Sequence, residues 1–355
     1  TSTYYISNSL TVPSQANDAE PNGSRALAKV LPLNGSRTGH VNYYYNLVRD
    51  TADWYKVTLT GDGRLDLSLA SGNGQYIYLY LYDNNGTTLI NSGYSNGTAV
   101  VTTDGLAAGT YYISIIPFYS NGYIPYTLSD SLFSPTQPND TEPNDAYTQA
   151  LTLAPTGSTT GHCGYYYNNL RDTADWYKIV LTQDGNLNLS LNSNNGQYMY
   201  ITLYDNNGST VLNSGYSNGA FNYNTDGLAA GTYYARIYMY YPNSGFAPYS
   251  LSSTFTTYAN ANDTEPNDYY SQAKTAPANG TVTGHIGFYQ NGGSRNTADI
   301  WRINYTGSGA LTLNASLNNW ISNGSVHYFY MQVFKDTAAG PIYSNYFYNG
   351  SGDIN

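Results

Sequence analysis

The string Asn-Asp-x-Glu-Pro-Asn occurs three times, at residues 17–22, 139–144 and 262–267, and each copy opens the same downstream series. Gly-His follows at Gly39-His40, Gly161-His162 and Gly284-His285, then Thr-Ala-Asp at Thr51–Asp53, Thr173–Asp175 and Thr297–Asp299. A period of about 122 residues is the size of one β-sandwich, so the chain reads as a tandem array and not as one large fold. The first two units are close copies, sharing Asp-Gly-Leu-Ala-Ala-Gly-Thr-Tyr-Tyr at 104–112 and 226–234; the third has diverged and carries an insertion around Trp320. The expected organisation is a segment 1–16, then repeats over 17–138, 139–261 and 262–355.

Within a repeat the pattern is all-β. Tyr76, Tyr78, Tyr80 and Tyr82 alternate with Ile77, Leu79 and Leu81, a period of two that gives a strand with an aliphatic and a tyrosine face. Leu65, Leu67 and Leu69 make a second such strand, matched by Leu187, Leu189 and Leu191 and by Leu311, Leu313 and Ala315. Asp-Asn-Asn-Gly at 83–86 and 205–208 supplies hairpin turns. A period of 3.6 is absent beyond a short turn near Ala26–Val30. The aliphatic faces are expected to form the core, leaving the tyrosine faces outside.

The repeat frame is shifted against the chain. Counting back from the Glu-Pro-Asn glutamate, Tyr126-Thr127-Leu128 and Tyr249-Ser250-Leu251 align without gaps on Tyr4-Tyr5-Ile6. The first segment therefore reads as a spare closing strand, while the third repeat stops short of its own Gly-Thr-Tyr-Tyr and closing strands. Head-to-tail self-association through Tyr4–Leu10 and the incomplete third repeat would repair both. A window cut from a longer array explains the same frame, and a start at Thr1 fits a processed mature chain.

Acids gather at two places per repeat: Asp18, Glu20 and Asn22 with Asp50 and Asp53; Asp140, Glu142 and Asn144 with Asp172 and Asp175; Asp263, Glu265 and Asn267 with Asn296 and Asp299. In a chain with only 10% charged residues these sets hold 11 of the 23 acids. Converging carboxylates repel and raise one another's pKa values unless a cation sits among them. An all-oxygen set of carboxylates and amides favours Ca²⁺ over Zn²⁺. The competing reading is a turn motif, since Asp, Asn and Pro all form turns. A glycosidase-like carboxylate pair is disfavoured by triplication, because catalytic sites are rarely copied in close tandem.

Glu-Pro-Asn-Asp, a short alanine-containing stretch, Thr-Gly-His and then Asp-x-x-Asp-Trp-Tyr together resemble the bacterial pre-peptidase C-terminal domain family, which includes the collagen-binding domains of clostridial collagenases. The resemblance spans the first two repeats and the first half of the third. It implies tandem jelly-roll-like β-sandwiches, with Ca²⁺ held between the segment entering each domain and the Asp-x-x-Asp loop. The ligands it implies are Asp18, Glu20, Asn22, Asp50 and Asp53 and their counterparts. Asn296 stands where an Asp is expected, so the third of up to three sites should be the weakest.

The remaining features narrow the function. A net charge of −10 without a basic stripe argues against nucleic acid, and no apolar run approaches the roughly 20 residues of a membrane span. His40, His162 and His285 recur without a nucleophile and are expected to make structural hydrogen bonds. Cys163, whose counterparts are Val41 and Ile286, is expected to be buried and inert, and Trp54 and Trp176, replaced by Ile300, to belong to the core. Tyr43–Tyr45 and Tyr165–Tyr167 read as exposed aromatic clusters, and sequons at Asn22, Asn34, Asn85, Asn96, Asn139, Asn207, Asn262 and Asn349 allow glycans. The expected role is non-catalytic and extracellular: a structural subunit of a filament or surface appendage. The alternative is a secreted collagen- or polysaccharide-binding array that anchors an enzyme or a cell.

Overall fold

The computed structural model describes residues 2–120, 122–167, 170–241, 245–289, 293–316, 328–335, 340–348 and 351–354. In the first repeat a 3-10 turn at Arg25–Leu27 leads into strands β1 (Lys29–Val30), β2 (Ser36–Val41), β3 (Tyr44–Tyr45), β4 (Val48–Arg49), β5 (Asp53–Leu59), β6 (Arg64–Ser71), β7 (Ile77–Tyr82), β8 (Leu89–Ser95), β9 (Thr98–Thr102), β10 (Gly109–Pro117) and β11 (Ile124–Phe133). One sheet has the order β1-β5-β10-β7-β8 and the other β2-β11-β6-β9, with β3–β4 a separate hairpin. Only β1 pairs parallel, against β5. The second repeat builds the same two sheets in the same order, ending in the closing strand Ala247–Thr257.

The alternation in the sequence sets the layers. Leu65, Leu67, Leu69, Ile77, Leu79 and Leu81 are all fully buried between the sheets. Each contributes about 1.5–3 kcal/mol by leaving water. Outward-facing partners on the β7 sheet form a stacked aromatic surface: Tyr78 lies 5.0 Å from Phe118, and Tyr200 lies 4.9 Å from Tyr238 and 5.0 Å from Tyr240. Trp54 belongs to this outer surface, stacked 5.4 Å from Tyr82, and Trp176 sits 5.0 Å from Tyr204 beneath Arg236. For Trp54 that corrects the expected core role: Asp53 and Tyr55 take the inward positions on β5, so the tryptophan between them must face out; Trp176, on the same outer face, is nevertheless buried at 7% exposed.

The third repeat keeps only part of this frame among its described residues. Lys274–Ala276 runs parallel to Trp301–Ile303, Leu313–Ser316 pairs with Ser351–Ile354, and Tyr328–Val333 with Tyr343–Tyr348. These match β1–β5, β6–β9 and β7–β8. Residues 281–286, the counterpart of β2, form no strand, because the one neighbour of β2 in its sheet is the closing strand. Ile286 is accordingly 43% exposed where Val41 is fully buried, and Leu311 lies outside its strand and at the surface. At the other end Tyr4, Tyr5, Ile6 and Leu10 are exposed and unpaired in any strand. The insertion at Trp320 lies outside the described residues.

Successive repeats meet through one recurring contact. Tyr166 donates its N–H to Gly105 O (3.0 Å) and accepts at its carbonyl from Ala107 N (2.9 Å); Tyr289 repeats both bonds with Gly227 and Ala229. Arg171 pairs with Asp104 at 3.0 Å and Arg295 with Asp226 at 3.6 Å. His162 faces Asp62 at 3.5 Å and His285 faces Asp184 at 3.1 Å. Glycine is required at the touching point: Gly227 has φ +66°, and a Cβ there would stand 2.9 Å from the Phe288 backbone.

Candidate metal centres

The Asn-Asp-x-Glu-Pro-Asn segment lies against the body of its repeat, and every residue type in it has a placing role. Asn17 Oδ1 accepts from His40 N at 2.6 Å, and His40 Nε2 lies 2.8 Å from Gln15 O; both contacts recur at His162 and His285. The expected structural histidine bond is therefore a clamp on the incoming chain. Glu20–Pro21, Glu142–Pro143 and Glu265–Pro266 are all cis. The next residue, Asn22, accepts from Trp54 N at 2.9 Å and so ties the segment to the head of β5, as Asn144 does with Trp176 and Asn267 with Ile300.

This brings together three acids per repeat of those predicted from sequence; Asp50 stands outside the first group, and Asp172 converges with Cys163 and Asp175. Carboxylate oxygens of Asp18, Glu20 and Asp53 lie within 4.8 Å of one another, as do those of Asp140, Glu142 and Asp175 and of Asp263, Glu265 and Asp299. That is the span expected of ligands around one ion with bonds of about 2.3–2.6 Å. One oxygen each of Asp18, Asp50 and Asp53 is held by a protein donor, and both oxygens of Glu20 are, by Asn22 N and the Tyr43 hydroxyl. Asn22 Nδ2 donates to Asp18 Oδ2 at 2.5 Å, Tyr55 donates to the same oxygen at 2.6 Å, and Tyr126 donates to Asp53 Oδ2 at 2.6 Å. The other oxygens, Asp18 Oδ1, Asn22 Oδ1, Asp50 Oδ2 and Asp53 Oδ1, are buried without a hydrogen-bond partner. The second centre leaves the same four: Asp140 Oδ1, Asn144 Oδ1, Asp172 Oδ2 and Asp175 Oδ1. Buried oxygens are rarely left so. A turn motif alone does not explain the repetition, and oxygens of this kind, carboxylate and amide, are the donors that suit Ca²⁺.

The electrostatics agree. Burial first, then Asp18 and Asp50, pushes Asp53 up to about 9; burial, then Glu20, pushes Asp50 up to about 7. In the second centre burial and Glu142 push Asp172 up to about 9, burial and Asp140 push Glu142 up to about 7, and burial, Asp172 and Asp140 hold Asp175 well above the usual carboxylate range. Without a cation Asp53 and Asp172 would hold protons at neutral pH, and Asp50 and Glu142 would be about half protonated.

The third centre differs at one atom group. Asn296 Nδ2 donates to Glu265 Oε1 at 2.7 Å and to Asp299 Oδ1 at 2.8 Å, while its carbonyl accepts from Ala298 N. A neutral NH₂ thus stands among the carboxylates, and Asp299 rises only to about 6, through burial. Asp263 Oδ1 and Asn267 Oδ1 remain without partners.

Sequence reasoning missed the tyrosine supports. Tyr55 and Tyr126 touch each other at 2.9 Å as well as the acids, and Tyr177 and Tyr249 repeat this at 2.6 Å. Their signal was the glycine of Gly-His: a Cβ at Gly39 or Gly161 would lie 2.3 Å from the hydroxyl of Tyr126 or Tyr249. Tyr43 and Tyr165 were assigned to exposed clusters; instead each donates to the motif glutamate at 3.0 Å, and Tyr165 is buried. Asn22 is fully buried, which removes it as a glycan acceptor in the folded chain. Cys163 is buried as expected and donates to Asp175 at 2.9 Å, and burial followed by Asp175 pushes its thiol pKa up.

Against known proteins, residues 51–116 match the family model of the bacterial pre-peptidase C-terminal domain, and residues 139–251 match a family described as galactose binding domain-like. No curated protein matches. Among solved structures, the pre-peptidase C-terminal domain of a collagenase from Bacillus anthracis is 21% identical, over 32% of this chain and all of that one, with TM-score 0.25. The tandem CBM51 modules of a family 98 glycoside hydrolase from Streptococcus pneumoniae are 9% identical over 59% of this chain and 82% of theirs (TM-score 0.21). A secreted protein from Parabacteroides distasonis is 8% identical over 61% and 88% (TM-score 0.25). The likeness to the pre-peptidase C-terminal family, read from the motifs, holds in the first repeat, where the family's own model matches β-sandwich residues 51–116.

Proposed function

We propose that the chain is an extracellular, non-catalytic array whose repeats are stiffened by Ca²⁺ and that serves as a structural element of a filament or surface appendage. One observation carries the reading: at the first two centres the oxygens left without partners come half from the incoming segment and half from the β-sandwich it enters. A cation bound to both fixes the direction in which each repeat leaves the last. Asp18, Glu20, Asn22, Asp50 and Asp53 would hold it in the first repeat, and Asp140, Glu142, Asn144, Asp172 and Asp175 in the second. In the third the candidates are Asp263, Glu265, Asn267 and Asp299, and the Asn296 amide already neutralises part of the demand. Small-angle scattering of the full chain with Ca²⁺ and then with chelator tests this. The maximum dimension should fall or its distribution broaden on chelation; an unchanged profile refutes the mechanical reading.

In the filament form of this proposal, Tyr4–Leu10 of one copy enters the open position beside residues 281–286 in the third repeat of the next. A second reading is a secreted binding array for collagen or polysaccharide. It draws on the stacked tyrosine faces and on the galactose-binding-like family match in the second repeat. Electron microscopy of the purified chain separates the two: regular polymers support the filament, and dispersed rods that sediment with a matrix support binding.

A further inference from the structure

Each internal junction joins an edge to a head. The edge carries two aspartates, one on each of two neighbouring loops (Asp62 with Asp104, Asp184 with Asp226), and the head carries His, Tyr and Arg in that order, the Tyr four residues after the His and the Arg five or six after the Tyr (His162, Tyr166, Arg171; His285, Tyr289, Arg295). The first repeat carries the same head: His40, Tyr44 and Arg49. We propose that this head is a docking site for another sandwich of the same repeat class, recognised through its paired aspartates and the Gly-Leu-Ala backbone between its strands.

Exposure supports the assignment. Tyr44 is 69% exposed where Tyr166 is half-buried, and His40 is half-buried where His162 is 2% exposed. Arg49, with no carboxylate partner among the described residues, folds back onto Asn42 O (3.0 Å) and Oδ1 (2.9 Å) and lies 4.8 Å over the Tyr44 ring. At the occupied heads Arg171 and Arg295 keep the stacking on Tyr166 and Tyr289 and each adds an aspartate of the preceding sandwich, Arg295 while still donating to Gly287 O, the counterpart of Asn42 O. The head is therefore cationic and aromatic, matched to an anionic edge.

The approach path is also set. Gln15 O meets His40 Nε2 at the same 2.8 Å as Gln137 O meets His162 and Asn260 O meets His285, so the chain enters the first head as it enters the other two. Upstream of that point, Ser2–Val12 align without gaps on Ile124–Ser134 and run exposed, the position from which β11 serves the preceding sandwich. Docking would bury Tyr43 and Asp50 beside the first metal centre, as Tyr165 and Asp172 are buried in the second. The third repeat carries Ser308 where the others carry Asp62 and Asp184, so the occupant favoured is a sandwich of the first or second type. The inference rests on the two observed junctions and stands apart from Ca²⁺ binding; it seats Ser2–Val12 on the docked sandwich and so competes with donation of Tyr4–Leu10 to the third repeat.

The test lengthens the full chain by a further copy of residues 17–123 placed directly ahead of Ser2. The added copy supplies the edge and takes Ser2–Val12 as its closing strand. In the lengthened chain Arg49→Glu should speed proteolysis of residues 13–17 about tenfold more than it does in the original chain, where it removes only the bonds to Asn42 and the contact with the Tyr44 ring. Arg171→Glu, the internal control, should speed cleavage at 134–139 to a similar degree. The proposal is overturned if Arg171→Glu acts and Arg49→Glu does not in the lengthened chain. It is overturned equally if hydrogen exchange finds Ser2–Val12 unprotected there.

Discussion

Replacing Asp172 by Asn should turn the second centre into one of the third type. Asp172 is buried, and burial with Glu142 pushes its pKa up to about 9 from an ordinary 3.8. At pH 7 without a cation, folding must therefore put a proton on a group that is ionised in the unfolded chain. At 1.36 kcal/mol per pH unit, the interval from 3.8 to 7 amounts to about 4 kcal/mol against the apo fold. Asparagine carries no such cost and can donate where Asn296 does, to the counterparts of Glu265 and Asp299. In chelator at pH 7 the D172N second repeat should thus be more stable than wild type by about 2–4 kcal/mol. The same change removes an anionic ligand. A tenfold or greater loss of Ca²⁺ affinity would cut the stabilisation by saturating Ca²⁺ by at least about 1.4 kcal/mol. Native-state hydrogen exchange at the core amides of Leu187, Leu189 and Leu191 reads the second repeat separately from its neighbours. If D172N leaves their protection in chelator equal to or below wild type, the four inward oxygens are not a cation site awaiting charge, and the reasoning fails.

Four further outcomes are expected. In chelator, the contribution of Asp50, Glu142, Asp53 and Asp172 to stability should be greatest below about pH 4 and fall as pH rises from there to about 9, because these groups hold protons in the folded chain that the unfolded chain loses near pH 4; with Ca²⁺ the trend should reverse, and urea titrations across pH check the sign. Tyr249→Phe removes a hydroxyl donated to Asp175 at 2.7 Å and should cost about 1–3 kcal/mol, more with Ca²⁺ than in chelator because the acceptor is then ionised. Gly227→Ala places a methyl 2.9 Å from the Phe288 backbone at positive φ, so residues 257–262 should be cleaved faster in limited proteolysis; unchanged cleavage would remove the junction as a rigid contact. Cys163 should resist a thiol reagent in the native chain and react at once in denaturant.

The period of two and the triplicated motifs determined much of this molecule before any coordinates. A strand that alternates Leu or Ile with Tyr can bury only one of its faces, so the layering of Leu65–Leu69 and Ile77–Leu81 follows from local pattern alone. The acids were legible for a similar reason: carboxylates that recur together in a chain otherwise poor in charge need a common explanation. Tertiary structure alone decided what lies around them. Tyr55 and Tyr126 are 71 residues apart, and nothing local to either predicts that their hydroxyls meet beneath Asp18 and Asp53. Trp54 was misplaced because the need to turn Asp53 inward, toward the centre, outweighed the preference of a tryptophan for the core. The recurring His and Arg acquired a purpose only when the preceding sandwich was set beside them, since an ion pair between domains has no trace in the periodicity of either. Patterning fixes which face of a strand is dry; which faces meet is settled by packing between segments far apart in the chain.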